Sequence, residues 1–178
     1  MCKYYVMAAV NCIEDYVVLG EVPERFSSAC LKSEFQFIDK NPVSIELSAE
    51  GGNVFPDFIY QNQIPLISDR LKNFFDSLKI DYLFYKKVNL TKEQLGIEEP
   101  YWLALPQKID CLDRNKSEID DFFNEAEKIV VNDNQVGRFE IFKLSGVINS
   151  EIIISERIAN LLEKEKFKGI NIYSLSGE

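Results

Sequence analysis

The chain carries one phrase twice. Residues 66–75 read LISDRLKNFF and residues 153–162 read IISERIANLL, with Ile67/Ile154, Ser68/Ser155, Arg70/Arg157 and Asn73/Asn160 identical in ungapped register. In the first copy Leu71, Phe74, Phe75 and Leu78 fall at i, i+3, i+4 and i+7, the spacing that lines one face of a helix. Ser68 precedes them as an N-cap, and Asp69 sets a negative charge at the positive end of the helix dipole. The second copy has the same grammar: the strand EIII, the cap Ser155 with Glu156, the face Ile158/Leu161/Leu162, then the strand GINIYSL. The same offset carries Ile80 to Phe167, Leu83 to Ile170 and Tyr85 to Ile172. Every shared residue has a structural job, so the phrase reads as a strand–capped helix–strand building block used twice rather than as a catalytic site. Arg70 and Arg157 are not placed for the dipole, and they are expected to form ion pairs at the surface or between elements.

Around these units the chain reads mostly as short strands. They are expected at 4–10, 16–19 and 43–47, in PDFIY, IPLI and YLFYKKV, and within YWLALPQKID, AEKIVVND and GRFEIFKL. VPERFSSACL is a short helix, and AEGGN is a turn whose paired glycines permit positive φ. Two or three helices among about nine strands predict an α+β fold with a mixed sheet and two pseudo-repeated strand–helix–strand units. At 178 residues the chain is read as one domain, 1–178, in which 1–50 forms a small β-rich lobe. A chain of that length buries roughly 70% of its unfolded surface.

Several function classes are disfavoured by composition. With 29 acidic against 20 basic residues the formal charge is −9, which argues against nucleic acid or an anionic membrane as partner and suits a basic one. There is no histidine, so Ser–His–Asp and Cys–His catalysis and His-ligated metals are excluded. Neither phosphate-cradling glycine loop is present. Cys2, Cys12, Cys30 and Cys111 lack CxxC spacing, so reduced thiols in a cytosol are expected, with no metal and no cofactor. The opening MCKYYVMAAVNC is read as strand rather than signal peptide. No apolar stretch approaches the ~20 residues that span a bilayer. NDNQVG at 132–137 resembles a calcium loop but has Lys143 where an EF-hand needs Glu. It is read as a turn in which Asp133 and Asn134 take left-handed backbone.

The densest polar run is DCLDRNKSEIDDFFNEAE, residues 110–127, with seven acidic against two basic residues and a local charge of −5. Three readings stand. The run is a solvated loop in which Asp113, Arg114 and Glu118 pair locally, an electrostatic face for a cationic partner, or a pair of carboxylates, Asp110 and Asp113, for general acid–base hydrolysis.

CLDRNKSE, together with PLISDRLKNFF before it and FEIFKLSG…IIISERIANLLEKEKFKGINI after it, resembles an immunity-protein family of bacterial polymorphic toxin systems, the eleventh in its numbered series. The resemblance rests on Ser68 to Leu71, Asp110 to Glu118, Ser155 to Ile158, and Gly169 with Ile170, and it covers 53–175. Asp69 and Ile158 replace the commoner Glu and Leu. The resemblance implies a non-enzymatic cytoplasmic protein that binds a cognate toxin effector domain and silences it by stoichiometric occlusion. The effector would be basic and nuclease-like. Asp110, Asp113, Arg114, Glu118, Asp120 and Asp121 are then the candidate partner-binding residues, with Trp102 and Phe122 as anchors. Ser68, Asp69, Ser155 and Glu156 are structural caps. A small hydrolase and a general adaptor module remain the alternatives.

Overall fold

Each copy of the doubled phrase starts at a serine that closes a strand and opens a helix, and the elements are arranged around those two junctions. A computed structural model describes residues 3–10, 14–38, 43–120, 122, 125–147 and 151–175. In chain order the elements are β1 (Tyr4–Ala9), α1 (Glu24–Lys32), β2 (Val43–Glu46), β3 (Phe58–Gln61), β4 (Ile64–Ile67), α2 (Asp69–Ser77), β5 (Phe84–Lys92) and β6 (Ile97–Leu105). They continue as β7 (Lys108–Ile109), β8 (Glu118–Asp120), β9 (Glu125–Lys128), α3 (Asp133–Val136), β10 (Ile141–Leu144), β11 (Ile152–Ser155), α4 (Glu156–Glu165) and β12 (Ile170–Ser174). Two short 3-10 turns, Phe35–Phe37 and Glu93–Leu95, complete them.

The fold is α+β, with two mixed five-stranded sheets, a two-stranded hairpin and few helices. Strands outnumber the expected nine because β7 and β8, of two and three residues, are too short to show a periodic pattern. The chain divides into two compact units. One comprises Ala9–Leu105 with Phe167–Ile170, the other Met1–Ala8, Pro106–Lys166 and Asn171–Glu178.

The two sheets share a plan. Their orders are β2-β5-β6-β4-β3 and β12-β1-β11-β10-β7, so β5-β6-β4-β3 in one corresponds to β12-β1-β11-β10 in the other. Trp102 stands opposite Ile67 as Tyr5 stands opposite Ile154, in antiparallel register both times. What differs is connectivity: β6 follows β5 directly, whereas the equivalent place in the second sheet is filled by the N-terminal strand β1. The repeat is therefore larger than the strand–helix–strand unit visible in sequence, since a preceding hairpin strand (β3 or β10) belongs to each copy.

Both caps form. Ser68 (φ −68°, ψ 163°) accepts from the Leu71 amide at 3.2 Å, and Ser155 (φ −69°, ψ 158°) from the Ile158 amide at 3.3 Å. Each serine is then tied to a carboxylate one residue before the preceding strand. In the first copy Asp57 accepts from the Ser68 hydroxyl at 2.7 Å, from Arg70 at 3.2 Å and from the Lys168 amide at 2.8 Å. In the second, Glu140 accepts from the Ser155 hydroxyl at 3.0 Å and is gripped by Arg157 through two donors, Nε at 2.8 Å and Nη2. The main chain repeats the pattern, with Ser68 N–H donating to Asp57 C=O and Ser155 N–H to Glu140 C=O, each at 2.9 Å. The arginines of the repeat thus hold the hairpin onto the start of the helix.

In the Ala9–Leu105 unit one sheet face packs Ile45, Leu66, Val88, Leu90, Tyr101, Leu103 and Leu105 against Phe26, Ala29 and Cys30 of α1. Alternation turns Ile67, Trp102 and Ala104 to the opposite face, where α2 buries Leu71 and Phe75. Each such side chain contributes about 1.5–3 kcal/mol. Residues 167–170 finish this unit. Phe167 lies under the Arg70 guanidinium, 4.3 Å from its ring centroid, and Lys168 C=O accepts from Asp57 N–H. Gly169 is required there: its φ is +81°, and a Cβ would lie 2.6 Å from Pro56. In the other unit Leu112, Phe142, Leu144 and Ile153 form the core with Val136 and Val147.

Three local expectations need correction. Residues 16–19 form only isolated bridges, Tyr16 to Val54 and Leu19 to Leu47, rather than a strand. Gly51 and Gly52 do not take positive φ. They are glycines for lack of room, a Cβ on Gly52 falling 2.0 Å from the Asp15 carbonyl oxygen. In NDNQVG, Asp133 and Asn134 start one helical turn capped by the Asn132 side chain, and the positive φ belongs to Gly137.

The carboxylates differ in burial, with side-chain exposures of 11% for Asp57 and 29% for Glu140, so their removal should differ in effect. Asp57→Ala is expected to lower unfolding free energy by about 3 kcal/mol and Glu140→Ala by about 1 kcal/mol in chemical denaturation. The Arg157 hydrogen bonds, helped by Ser155 and opposed by burial, hold the Glu140 carboxyl below its ordinary value of 4.5. Its contribution is therefore present above the unfolded-state value and lost as pH falls through the lower folded-state one. Thermal unfolding of Glu140→Gln between pH 6 and 3 should show a shallower acid decline than the parent.

Candidate partner-binding site

The acidic run lies in the Pro106–Lys166 unit, and the structure divides it into an anchored half and a displayed half. Cys111 and Leu112 are core residues, and burial pushes the Cys111 thiol up to about 11. Asp113 organises a tight turn. Its carbonyl accepts from the Lys116 and Ser117 amides, its carboxylate from the Asn115 amide at 3.2 Å, and Lys116 pairs with it at 2.9 Å. Ser117 locks the turn to Val130, its hydroxyl accepting from the Val130 amide at 2.9 Å. The Lys116 hydrogen bond holds the Asp113 carboxyl below its ordinary value. Most of CLDRNKS is therefore scaffold.

Beyond Ser117 the chain enters the β8–β9 hairpin. Glu118 is exposed and pairs loosely with Lys128 at 3.7 Å, and Asp120 accepts from the Phe122 amide at 2.8 Å. Phe122 is 87% exposed, the most of any large hydrophobic residue described. Asp110 is exposed at the other end of the run. Asp121 lies outside the described residues. Among the described residues Arg114 forms no ion pair with these carboxylates: its guanidinium lies over Gly146, 2.7 Å from where a Cβ would stand. Local pairing thus runs through Asp113–Lys116 and Glu118–Lys128, not through Arg114. Asp110, Glu118 and Phe122 are exposed, and Asp120 is half-buried.

Trp102 belongs to the other unit, on β6. Its Nε1 donates to the Asp69 carboxylate at 2.5 Å, and its ring faces the Lys72 ammonium at 4.9 Å. Asp69 therefore has a bonding partner besides its place at the helix dipole. Among the described residues no group of three or more His, Cys, Asp or Glu is arranged to hold a metal, and no helix is long and apolar enough to cross a membrane. Asp57 and Glu140 were not singled out in the sequence. Their one signal is an acid just before an apolar strand in PDFIY and FEIFKL, and unequal hairpin lengths hide it from an ungapped comparison.

The model of the Immunity protein family (Imm11) matches residues 14–176. The chain belongs to that family. The match takes in α1 and β2, so all but the start of the N-terminal fifty residues, which carry no recognisable motif, is part of the Imm11 pattern. Both capped helices and the turn at Asp113 fall within it. A search of curated proteins found no match.

The division between anchored and displayed residues is open to measurement. Leu112→Ala should lose about 2–5 kcal/mol of stability in urea denaturation. Phe122→Ala should stay within about 0.5 kcal/mol of the parent, as an exposed side chain contributes little to folding.

Proposed function

We propose that this Imm11 protein binds the effector domain of a cognate polymorphic toxin in the cytoplasm and neutralises it by stoichiometric occlusion. The observation that carries this reading is Phe122, 87% exposed between the strands of an acidic hairpin. An exposed aromatic within an acidic run is suited to a basic surface with an apolar pocket, the kind of surface a nuclease-like effector presents to its substrate. Asp110, Glu118 and Asp120 supply the charge, with Asp113 and Arg114 beside them and Asp121 in the same run. Close charge pairs across such interfaces couple by about 1.5–7 kcal/mol and speed encounter.

The competing reading is a hydrolase built on Asp110 and Asp113. A general acid needs a carboxyl with raised pKa, and that of Asp113 is lowered by Lys116. An adaptor role would use the same surface on a different partner.

The test uses the effector domain encoded beside this chain. Association should slow as ionic strength rises. Phe122→Ala should weaken binding roughly 30-fold, the loss of about 2 kcal/mol typical of an interface hot spot, and should reduce the survival of cells expressing the toxin. Salt-independent association together with full protection by Phe122→Ala would contradict the proposed surface. Substrate turnover abolished by Asp113→Asn would favour the hydrolase instead.

A further inference from the structure

One surface cluster in the Ala9–Leu105 unit has the chemistry of a cation receptor. Lys72 of α2 places its ammonium 4.8 Å from the Tyr85 ring centroid and 4.9 Å from that of Trp102. The two rings share a sheet face, because Tyr85 on β5 pairs with Ala104 and Trp102 lies two residues along β6. Two carboxylates complete the cluster. Asp76 accepts from Lys72 at 2.6 Å, and Asp69 accepts from the Trp102 indole at 2.5 Å. Two π faces and the Asp76 carboxylate meet at the ammonium, with Asp69 held at the edge of the Trp102 ring, and this set favours a positive charge.

The lysine that occupies the cluster is itself 19% exposed, and its ion-pair partner Asp76 is 47% exposed, so the carboxylate side of the cluster is open to solvent. The Tyr85 hydroxyl is buried and has no hydrogen-bond partner. Burial raises its pKa, with Asp76 and Tyr82 adding to the effect, so it stays a neutral acceptor that Lys72 leaves unused. A guanidinium brings five donors, lies flat on aromatic faces and is more weakly hydrated than an ammonium, so it suits this set of groups better than lysine does.

We propose that the Trp102–Tyr85–Asp69–Asp76 cage receives an arginine side chain of the toxin effector domain, and that Lys72 is a resident stand-in displaced on binding. The inference rests on the toxin-binding reading above for the identity of the partner. Charge decides against a second copy of this chain: two molecules at −9 repel, whereas a basic effector is drawn to both the chain and the cage.

Trp102 is the one tryptophan in the sequence, so its emission reports on the cage directly. The full-length protein is titrated with the neighbouring effector domain, following tryptophan emission against a tryptophan-free effector variant and measuring affinity independently by calorimetry. The expected result is an emission change that saturates with binding. Lys72→Met should bind about tenfold more tightly because no resident cation competes for the carboxylates, and Trp102→Phe about tenfold more weakly. Lys164→Met, an exposed lysine of α4, controls for the general gain from removing a positive charge and should change affinity less than twofold. A complex that forms with unchanged emission, or a Lys72→Met variant no tighter than Lys164→Met, overturns the cage while leaving neutralisation intact. Absence of any complex overturns both readings. If Lys72→Met fails to fold, the emission of the unmutated protein decides.

Discussion

Both helix–hairpin junctions depend on a carboxylate that joins a cap serine to the arginine two residues beyond it. A helix N-terminus leaves several amides without partners, and a serine cap satisfies one of them. Here the serine also donates its hydroxyl proton to Asp57 or Glu140, and the arginine of the same turn closes on the same carboxylate. A local cap becomes a joint between hairpin and helix. Because the joint needs a serine and an arginine two residues on, the chain repeats that spacing at Ser68/Arg70 and Ser155/Arg157, while the carboxylate comes from outside the phrase and Asp69 and Glu156 serve the helix dipole. The two joints are finished differently. Asp57 is sealed by residues 167–170, whereas an open groove of about 330 Å³, lined in part by Tyr4, Phe139 and Arg157, lies beside Glu140.

That framework frees other residues for display. The stretch from Asp110 to Lys128 is anchored by Cys111, Leu112, Asp113 and Ser117, each of which has a packing or hydrogen-bonding role in its own unit. What remains, Asp110, Glu118, Asp120 and Phe122, is not part of the core. On the proposed reading this acidic hairpin with its exposed aromatic ring meets a basic surface of the toxin, and membership of Imm11 is consistent with a toxin as partner.

The helix caps were legible in the sequence because their interactions span three residues and leave a fixed spacing. The carboxylates that complete the joints were not. Asp57 precedes Ser68 by 11 residues and Glu140 precedes Ser155 by 15, so the alignment that reveals the phrase breaks before reaching them. The correspondence of β1 with β6 was invisible for a stronger reason, since strands joined only through space leave no order in the chain. Local readings failed where crowding rather than backbone preference selected the residue, as at Gly52 against Asp15. In the acidic run, charge density marked the segment but could not separate Asp113, which builds the turn, from Glu118, which is exposed.

The central functional claim is that this protein occupies its target and transforms nothing. The most direct measurement is the residual activity of the neighbouring toxin domain as this protein is added in increasing molar ratio. The account predicts a linear fall that ends at a fixed molar equivalence, with activity returning when the complex is dissociated. Inactivation of many toxin molecules by one molecule of this protein, persisting after their separation, would contradict it.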